Sequence, residues 1–382
     1  MKTICYYEPS SGFGGSSSNL YHILRQLDKE RFRPIVVVHK DGDQFERIRS
    51  LGVEVIKIPY AGMDAFNCAG GLKLIRLGFT ALNPLVRRLT ALLKEKSVDL
   101  VHINTNISLG MPMILAANKL GKKVFCYIRE SRALIRRERM MVPKVDQFFI
   151  LNQAAVEIYG KDIPAAKLHV VPDGVDLSEF EGLSSKSFRG EFNLEGMKVV
   201  GLVGRIVEGK GQLEFAQAAK HVCKRHRDAC FFIVGDAKGS DTAYYEELKN
   251  YVRREHLQSK VILTGWRTDV KQIMHGLDVL VLASTTFPEG LPNSIIEAMV
   301  LGKPAVATDI PGPPEIIDHD RTGYIVPPGD VDALAAAIRR LLDDPELARQ
   351  MGERGRQRAA ERFDVRQVVK TMQDMYTAEL TA

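Results

Sequence analysis

Apolar residues in the first half of the chain fall in short, unbroken runs divided by polar stretches. Runs at 4–7, 34–39, 53–58, 99–103, 123–128 and 147–151 lack the alternation of a half-exposed strand. Continuous runs of this length predict strands buried on both faces of a parallel sheet. A helix is expected at about 19–27, and the segment between it and the first strand is rich in glycine. The pattern restarts after a polar stretch at 183–197, which reads as the hinge. Strands are then expected at 199–203, 231–234, 261–264, 279–283 and 304–308, and the chain closes in helices rich in Arg, Ala and Glu. Two consecutive doubly wound α/β, Rossmann-like halves follow from this alternation. The expected domains are 1–182, joined by a C-terminal helix at about 361–382, and 183–360.

Length supports the division, since 382 residues exceed what one core usually organises. A composition of 45% hydrophobic and 26% charged residues is that of a globular protein. The formal net charge of +6 suits phosphorylated ligands or an anionic membrane surface. It does not point to nucleic acid, because no stretch interleaves Arg and Lys with aromatics. Five scattered cysteines imply no disulfide framework and suggest a reducing, cytoplasmic setting. The N-terminal residues read as a strand rather than a signal peptide, and no run approaches the ~18 apolar residues of a membrane-spanning helix.

The most specific chemistry lies in Pro288-Glu289-Gly290-Leu291-Pro292-Asn293-Ser294-Ile295-Ile296-Glu297-Ala298-Met299. Two carboxylates stand eight positions apart across a Gly/Pro turn that opens a helix, with Pro292 suited to its first turn. The unpaired N–H groups of such a turn are a natural seat for phosphate, and the carboxylates can accept from sugar hydroxyls. Alone, the stretch is also compatible with a helix whose turn happens to carry Glu. Gly204-Arg205-Ile206-Val207-Glu208-Gly209-Lys210-Gly211 follows an expected strand. It nearly matches a P-loop, with Asp236 placed like a Walker B acid. However, Gly211 stands where the Mg²⁺-holding hydroxyl belongs. Arg205 and Lys210 could neutralise a departing diphosphate, or could be two solvated cations.

The first stretch resembles the Glu-x7-Glu signature of retaining glycosyltransferases with the GT-B fold, family 4 in particular. The second resembles that family's Gly-Arg…Lys-Gly phosphate loop. The likeness continues, in order, through Val171-Pro172-Asp173-Gly174-Val175-Asp176 (with Asp173 for the usual Asn), Leu263-Thr264-Gly265-Trp266-Arg267-Thr268-Asp269-Val270, and Gly323-Tyr324-Ile325-Val326-Pro327-Pro328-Gly329-Asp330. The resemblance implies two Rossmann-like domains facing across a cleft, with the donor bound to the second and the acceptor to the first. It implies that Glu289 orients the donor sugar and Glu297 holds the ribose hydroxyls. Gly290, Leu291 and Asn293 would surround the diphosphate, and Arg267 would lie near the base. Gly14 and Gly15 would form a glycine wall facing the donor phosphate or the acceptor. Two departures stand out. Pro311-Gly312-Pro313-Pro314-Glu315 replaces the usual Gly-Gly-x-x-Glu, and Arg129-Glu130 ends the strand where many members carry a His. Arg129 and Glu130 are therefore candidate acceptor or cleft residues, or else a surface ion pair.

Other signals are weaker. Gly12-Phe13-Gly14-Gly15-Ser16-Ser17, with Asp41 downstream, approaches a dinucleotide fingerprint and supports an NAD-dependent nucleotide-sugar enzyme as the alternative. A nucleotide-sugar epimerase and a non-catalytic binding subunit are further readings. Asp41-Gly42-Asp43 and Asp318-His319-Asp320 read as turns rather than metal sites, and Cys223, His226 and Cys230 as packing. The basic, apolar segments 129–144 and 70–96 are candidates for contact with an anionic membrane surface, or packed helix faces. The expectation is a cytoplasmic, metal-independent, cofactor-free retaining glycosyltransferase, peripheral to the membrane if segment 129–144 binds it. It would move a sugar from a nucleotide-diphosphate donor, UDP favoured, to a saccharide or lipid-linked acceptor.

Overall fold

The computed structural model describes residues 1–9, 15–59, 78–237 and 239–381. They divide into two compact units, Met1–Gly174 with Val365–Ala382, and Val175–Asp364.

Unit 1 holds seven parallel strands in the order β3-β2-β1-β4-β5-β6-β7. They are β1 (Lys2–Glu8), β2 (Phe32–Val38), β3 (Glu54–Lys57), β4 (Leu100–Ile103), β5 (Lys123–Ile128), β6 (Gln147–Ile150) and β7 (Leu168–Val170). The central strands carry no exposed residue beyond their ends, as their unbroken apolar runs require. The helix Val365–Thr381 completes this unit. Tyr376 is fully buried between Phe32 and Phe125, and its hydroxyl meets His102 Nδ1 at 2.6 Å. Lys123 pairs with Glu379 at 2.6 Å.

Unit 2 has six parallel strands in the order β10-β9-β8-β11-β12-β13. These are β8 (Lys198–Val203), β9 (Ala229–Val234), β10 (Val261–Gly265), β11 (Val279–Leu282), β12 (Ala305–Thr308) and β13 (Gly323–Val326). In both sheets the order reverses beside the first strand, and loops at the carboxyl ends there form the natural ligand crevice.

The structure differs from the sequence reading at the sheet edges and at the hinge. β7 and β13, which the sequence reading did not assign as strands, are edge strands of three and four residues, and β7 has none of its residues buried. The stretch 183–197 is not a bare linker. It contains the helix Lys186–Glu191, with Phe188 fully buried against Gly276 and Phe232, and Arg189 donates to the Gly276 carbonyl at 2.7 Å. The division between units falls at 174/175 and 364/365. Among the described residues, no helix is long and apolar enough to cross a membrane.

Candidate active site

Three loops meet at the carboxyl ends of the central strands of unit 2. The loop after β8 runs from Gly204 to Gly211, where the helix Gln212–Cys223 begins. Gly209 accepts from the backbone N–H groups of Thr285 (2.7 Å) and Phe287 (3.2 Å), which pins this loop to the segment after β11. Gly211 adopts φ +77, and a Cβ there would lie 1.9 Å from the Ala283 carbonyl oxygen, so no larger residue fits without moving the backbone. The buried Gln212 side chain braces the loop by donating to the Arg205 carbonyl at 2.9 Å.

This clamp brings together two side chains 79 positions apart. Lys210 Nζ lies 2.9 Å from Glu289 Oε1 and 4.3 Å from the centre of the Phe287 ring. Ser284 Oγ donates to the same carboxylate oxygen at 2.7 Å, and the Ser284 carbonyl is held by Thr308 Oγ1 at 2.6 Å. Glu289 is buried, and Lys210 and Ser284 supply the pairing and hydrogen bonding that a carboxylate needs there. Both described hydrogen bonds fall on Oε1, leaving Oε2 to accept from a bound hydroxyl.

The helix Asn293–Val300 starts just beyond, with Pro292 immediately before it at its N-cap rather than inside its first turn. Leu291 is buried, and Gly290 touches the loop after β12. Gly312, at φ +111, comes so close that a Cβ would lie 2.4 Å from the Gly290 carbonyl oxygen. The Pro311-Gly312-Pro313 departure thus keeps the glycine where contact requires it. Asn293 Oδ1 is buried without a partner among the described residues. Glu297 is half-buried one turn further along. Burial pushes its carboxyl up to about 7 despite the attraction of Lys271, which is itself paired with Glu179.

Other sequence-predicted residues are placed differently. Arg205 is half-exposed, and its nearest described carboxylate is Asp241, 3.9 Å away. Arg267 forms two 2.8 Å bonds to Glu191 and two to Asp269; these pairs, rather than Lys210 or Glu289, are its described partners. Gly15 opens the helix Gly15–Gln26, and Gly14 lies outside the described residues. The segment 70–96 is described only from residue 78 onward. Asp41 is spent on Lys57 and Arg49, and Asp318 on Arg321.

In unit 1, Arg129 and Glu130 do not pair with each other. Arg129 forms a buried ion pair with Asp173, donates to Asn19 Oδ1 (2.9 Å) and Asn104 Oδ1 (3.1 Å), and lies 4.0 Å from the Tyr127 ring centre. Asn104 donates in turn to the buried Glu8 at 2.5 Å. Tyr127 donates to the Val171 carbonyl (2.6 Å) and to Asp173 (3.1 Å). This is a polar floor at the carboxyl ends of β1, β4 and β5. Glu130 points elsewhere, accepting from Asn106 Nδ2 (2.6 Å) and pairing with Arg132 (2.8 Å). Sequence reasoning missed Ser284, Phe287, Gln212, Asp173 and Asn104 as site-building residues. Only the Asp173 departure had signalled itself.

Comparison with known proteins adds an independent line. A family model described as glycosyl transferases group 1 matches residues 184–358, and one described as glycosyltransferase family 4 matches 13–179. Among curated proteins, the chain is 28% identical over 305 residues to an Escherichia coli UDP-Gal:alpha-D-GlcNAc-diphosphoundecaprenol alpha-1,3-galactosyltransferase, covering 75% of this chain and 76% of that one. It is 26% identical over 334 residues to a Mycobacterium tuberculosis GDP-mannose-dependent alpha-(1-6)-phosphatidylinositol monomannoside mannosyltransferase, covering 81% and 85%. Among solved structures, Anabaena HepE in complex with UDP matches with a TM-score of 0.84 at 21% identity, over 99% of this chain and 100% of that one; this likeness shows the fold.

Proposed function

We infer the reaction of this chain from its family: it belongs to the group 1 glycosyltransferases of family 4 and has their GT-B fold of two Rossmann-like units. It is a glycosyltransferase. Its donor, in our reading, is a nucleotide-diphosphate sugar, UDP favoured, bound by unit 2. Its acceptor is a saccharide or lipid-linked glycan met by unit 1. The Lys210–Glu289 pair at the meeting of the phosphate loop and the helix start carries this reading. The names of the relatives, one using UDP-Gal and one GDP-mannose, support the donor class.

The reaction breaks the bond from the sugar C1 to the terminal phosphate oxygen, and the electron pair leaves with the nucleotide diphosphate. Lys210, Arg205 and the N–H groups at Gly290 and Leu291 stabilise the charge that develops there. Glu289 holds a sugar hydroxyl and faces the positive charge growing at C1. The acceptor oxygen bonds C1 from the face just vacated and passes its proton to the departing diphosphate, so configuration is retained. An α-linked product from an α-linked donor, read by NMR, is the expected result; a β-linked product would overturn retention. Since Lys210, Arg205 and backbone amides supply the positive charge, turnover should persist in EDTA. Loss restored by Mn²⁺ would contradict metal independence.

Glu297 gives a pH test of the ribose role. Its raised pKa means that the folded state holds this proton more tightly than the unfolded chain does. Its contribution to stability is therefore full below the ordinary carboxylate range and is lost as pH rises towards about 7. Ribose hydroxyls donate more strongly to the ionised form, so nucleotide binding should release a proton near neutrality, and affinity should climb between about pH 6 and 8. Glu297→Gln should lose about tenfold in nucleotide affinity and flatten that climb, measured by calorimetry in two buffers. An unchanged profile would remove Glu297 from the ribose site.

The segment 129–144 supports a peripheral membrane role. Ile135 and Met140 are 41% and 65% exposed, beside the exposed Arg136, Arg139 and Lys144. Apolar side chains ringed by cations suit an anionic lipid surface, and the E. coli relative's name carries a lipid-linked acceptor. Ile135→Asp with Met140→Asp should weaken sedimentation with phosphatidylglycerol vesicles by about tenfold or more, while binding to neutral vesicles stays negligible. Equal binding by the variant would exclude this face.

A further inference from the structure

At the amino ends of the unit 2 strands, away from the phosphate loop, lies a cavity of about 470 Å³. Lys198 opens β8, Val279 opens β11 and Pro304 precedes β12. The helix Pro345–Arg362 closes the cavity with Pro345, Ala348 and Arg349. Donor chemistry belongs at the carboxyl ends of such strands, so this cavity is a separate place. Its volume lies in the range of small-molecule sites.

The wall is apolar through Met197, Leu341 and Leu342, cationic through Lys198, Lys303 and Arg349, and carries the carboxylate of Asp278. Arg349 is satisfied by Glu346 at 2.7 Å, and Lys198 has Asp228 at 3.8 Å. Lys303 differs. It is half-buried, and no hydrogen bond or ion pair of its ammonium is among the described contacts. The carboxylate nearest to it in charge, Asp278, already accepts from the Val199 N–H at 2.7 Å.

More cations stand behind it. Arg189 donates to the carbonyls of Gly276, Leu194 and Met197, and Arg356 to the carbonyl of Val300. Neutral acceptors leave both guanidinium charges uncancelled. Burial, then repulsion by Arg189 and Arg356 against the pull of Asp278, holds the Lys303 ammonium below its ordinary pKa. Burial, with Lys303 and Arg356, does the same to His275. Arg189 and Arg356, on separate segments, thus lie within electrostatic reach of Lys303 without forming part of the cavity wall. A cavity lined by three cations and one carboxylate, with two more cations behind it, favours anions.

We propose that this cavity is a second, non-catalytic site for a small organic phosphate, its phosphate on Lys303 and its apolar part against Met197, Leu341 and Leu342. The site is coupled to the helix Asn293–Val300, whose start carries Asn293 and whose final carbonyl is held by Arg356. Only that coupling rests on the transferase reading; the binding does not.

The test uses hexyl phosphate and inorganic phosphate on the full chain, reading acetylation of individual lysines by mass spectrometry. Hexyl phosphate should slow acetylation of Lys303 several-fold more than sodium chloride of equal ionic strength, and leave the exposed Lys119 unchanged. Inorganic phosphate should protect less, lacking the apolar contact. Lys303→Met, which keeps the fold's apolar wall, should lose about tenfold in hexyl phosphate affinity read by calorimetry, the scale of one charge-assisted hydrogen bond. In Lys210→Met the protection of Lys303 should persist. Protection no greater than salt gives, unchanged affinity in Lys303→Met, or protection lost in Lys210→Met would each overturn the proposal.

Discussion

Glu289→Gln is expected to lower kcat by about 100-fold or more, with donor KM changed far less. This is the scale of removing one preorganised electrostatic group from a water-poor site. The side chain is buried, and its Oε1 takes both Lys210 Nζ and Ser284 Oγ. Glutamine keeps the shape but presents no charge to a sugar gaining positive character at C1, and it leaves Lys210 without its carboxylate partner. Interactions stronger in the transition state than in the bound substrate appear in kcat rather than in KM. Saturation kinetics, with thermal unfolding to verify an intact fold, provide the measurement. A variant with near-normal kcat would show that Glu289 only shapes the loop.

Arg129→Met should destabilise the protein by about 3–5 kcal/mol, because removing one partner strands the other buried charge. Side chains of Arg129 and Asp173 are only 10% and 8% exposed, and Glu8 lies one residue further into the same network through Asn104. In a unit of this size the loss lowers the melting temperature by on the order of 10 °C. Asp173→Asn with Arg129→Met should recover part of it, since the pair is coupled. Thermal unfolding of the single and double variants reads both effects. A single variant that melts within about 2 °C of the parent would mean that the pair is not stabilising.

The Arg129–Asp173 pair marks the limit of what could be read along the chain. Both residues were visible as departures from a family pattern, yet Arg129 was weighed against its neighbour Glu130. Successive residues of an extended segment point to opposite faces, which sends Arg129 inward to Asp173 and Glu130 outward to Arg132. A partner 44 positions away has no local signature. Lys210 and Glu289 illustrate the same point from the other side. Each was legible because glycine and proline punctuate its loop. Their contact depends on Gly209 accepting from Thr285 and Phe287, and on Gly211 lying against Ala283. Arg267 was read from its motif alone. Its engagement with Glu191 comes from a helix inside a stretch that composition made look like a linker. The central strands were readable because burial on both faces forces a continuous apolar run; β7 was not, because none of its three residues is buried, and the residues of β13 were read only as part of a family motif.

The most direct test of the central claim is to incubate the purified protein, without added metal, with UDP-, GDP- and ADP-sugars and an acceptor panel, and to follow nucleotide diphosphate release by mass spectrometry. Release from one donor, abolished in Glu289→Gln and in Lys210→Met, is the predicted result. Release that both variants retain, or an absence of binding to every donor, would contradict it.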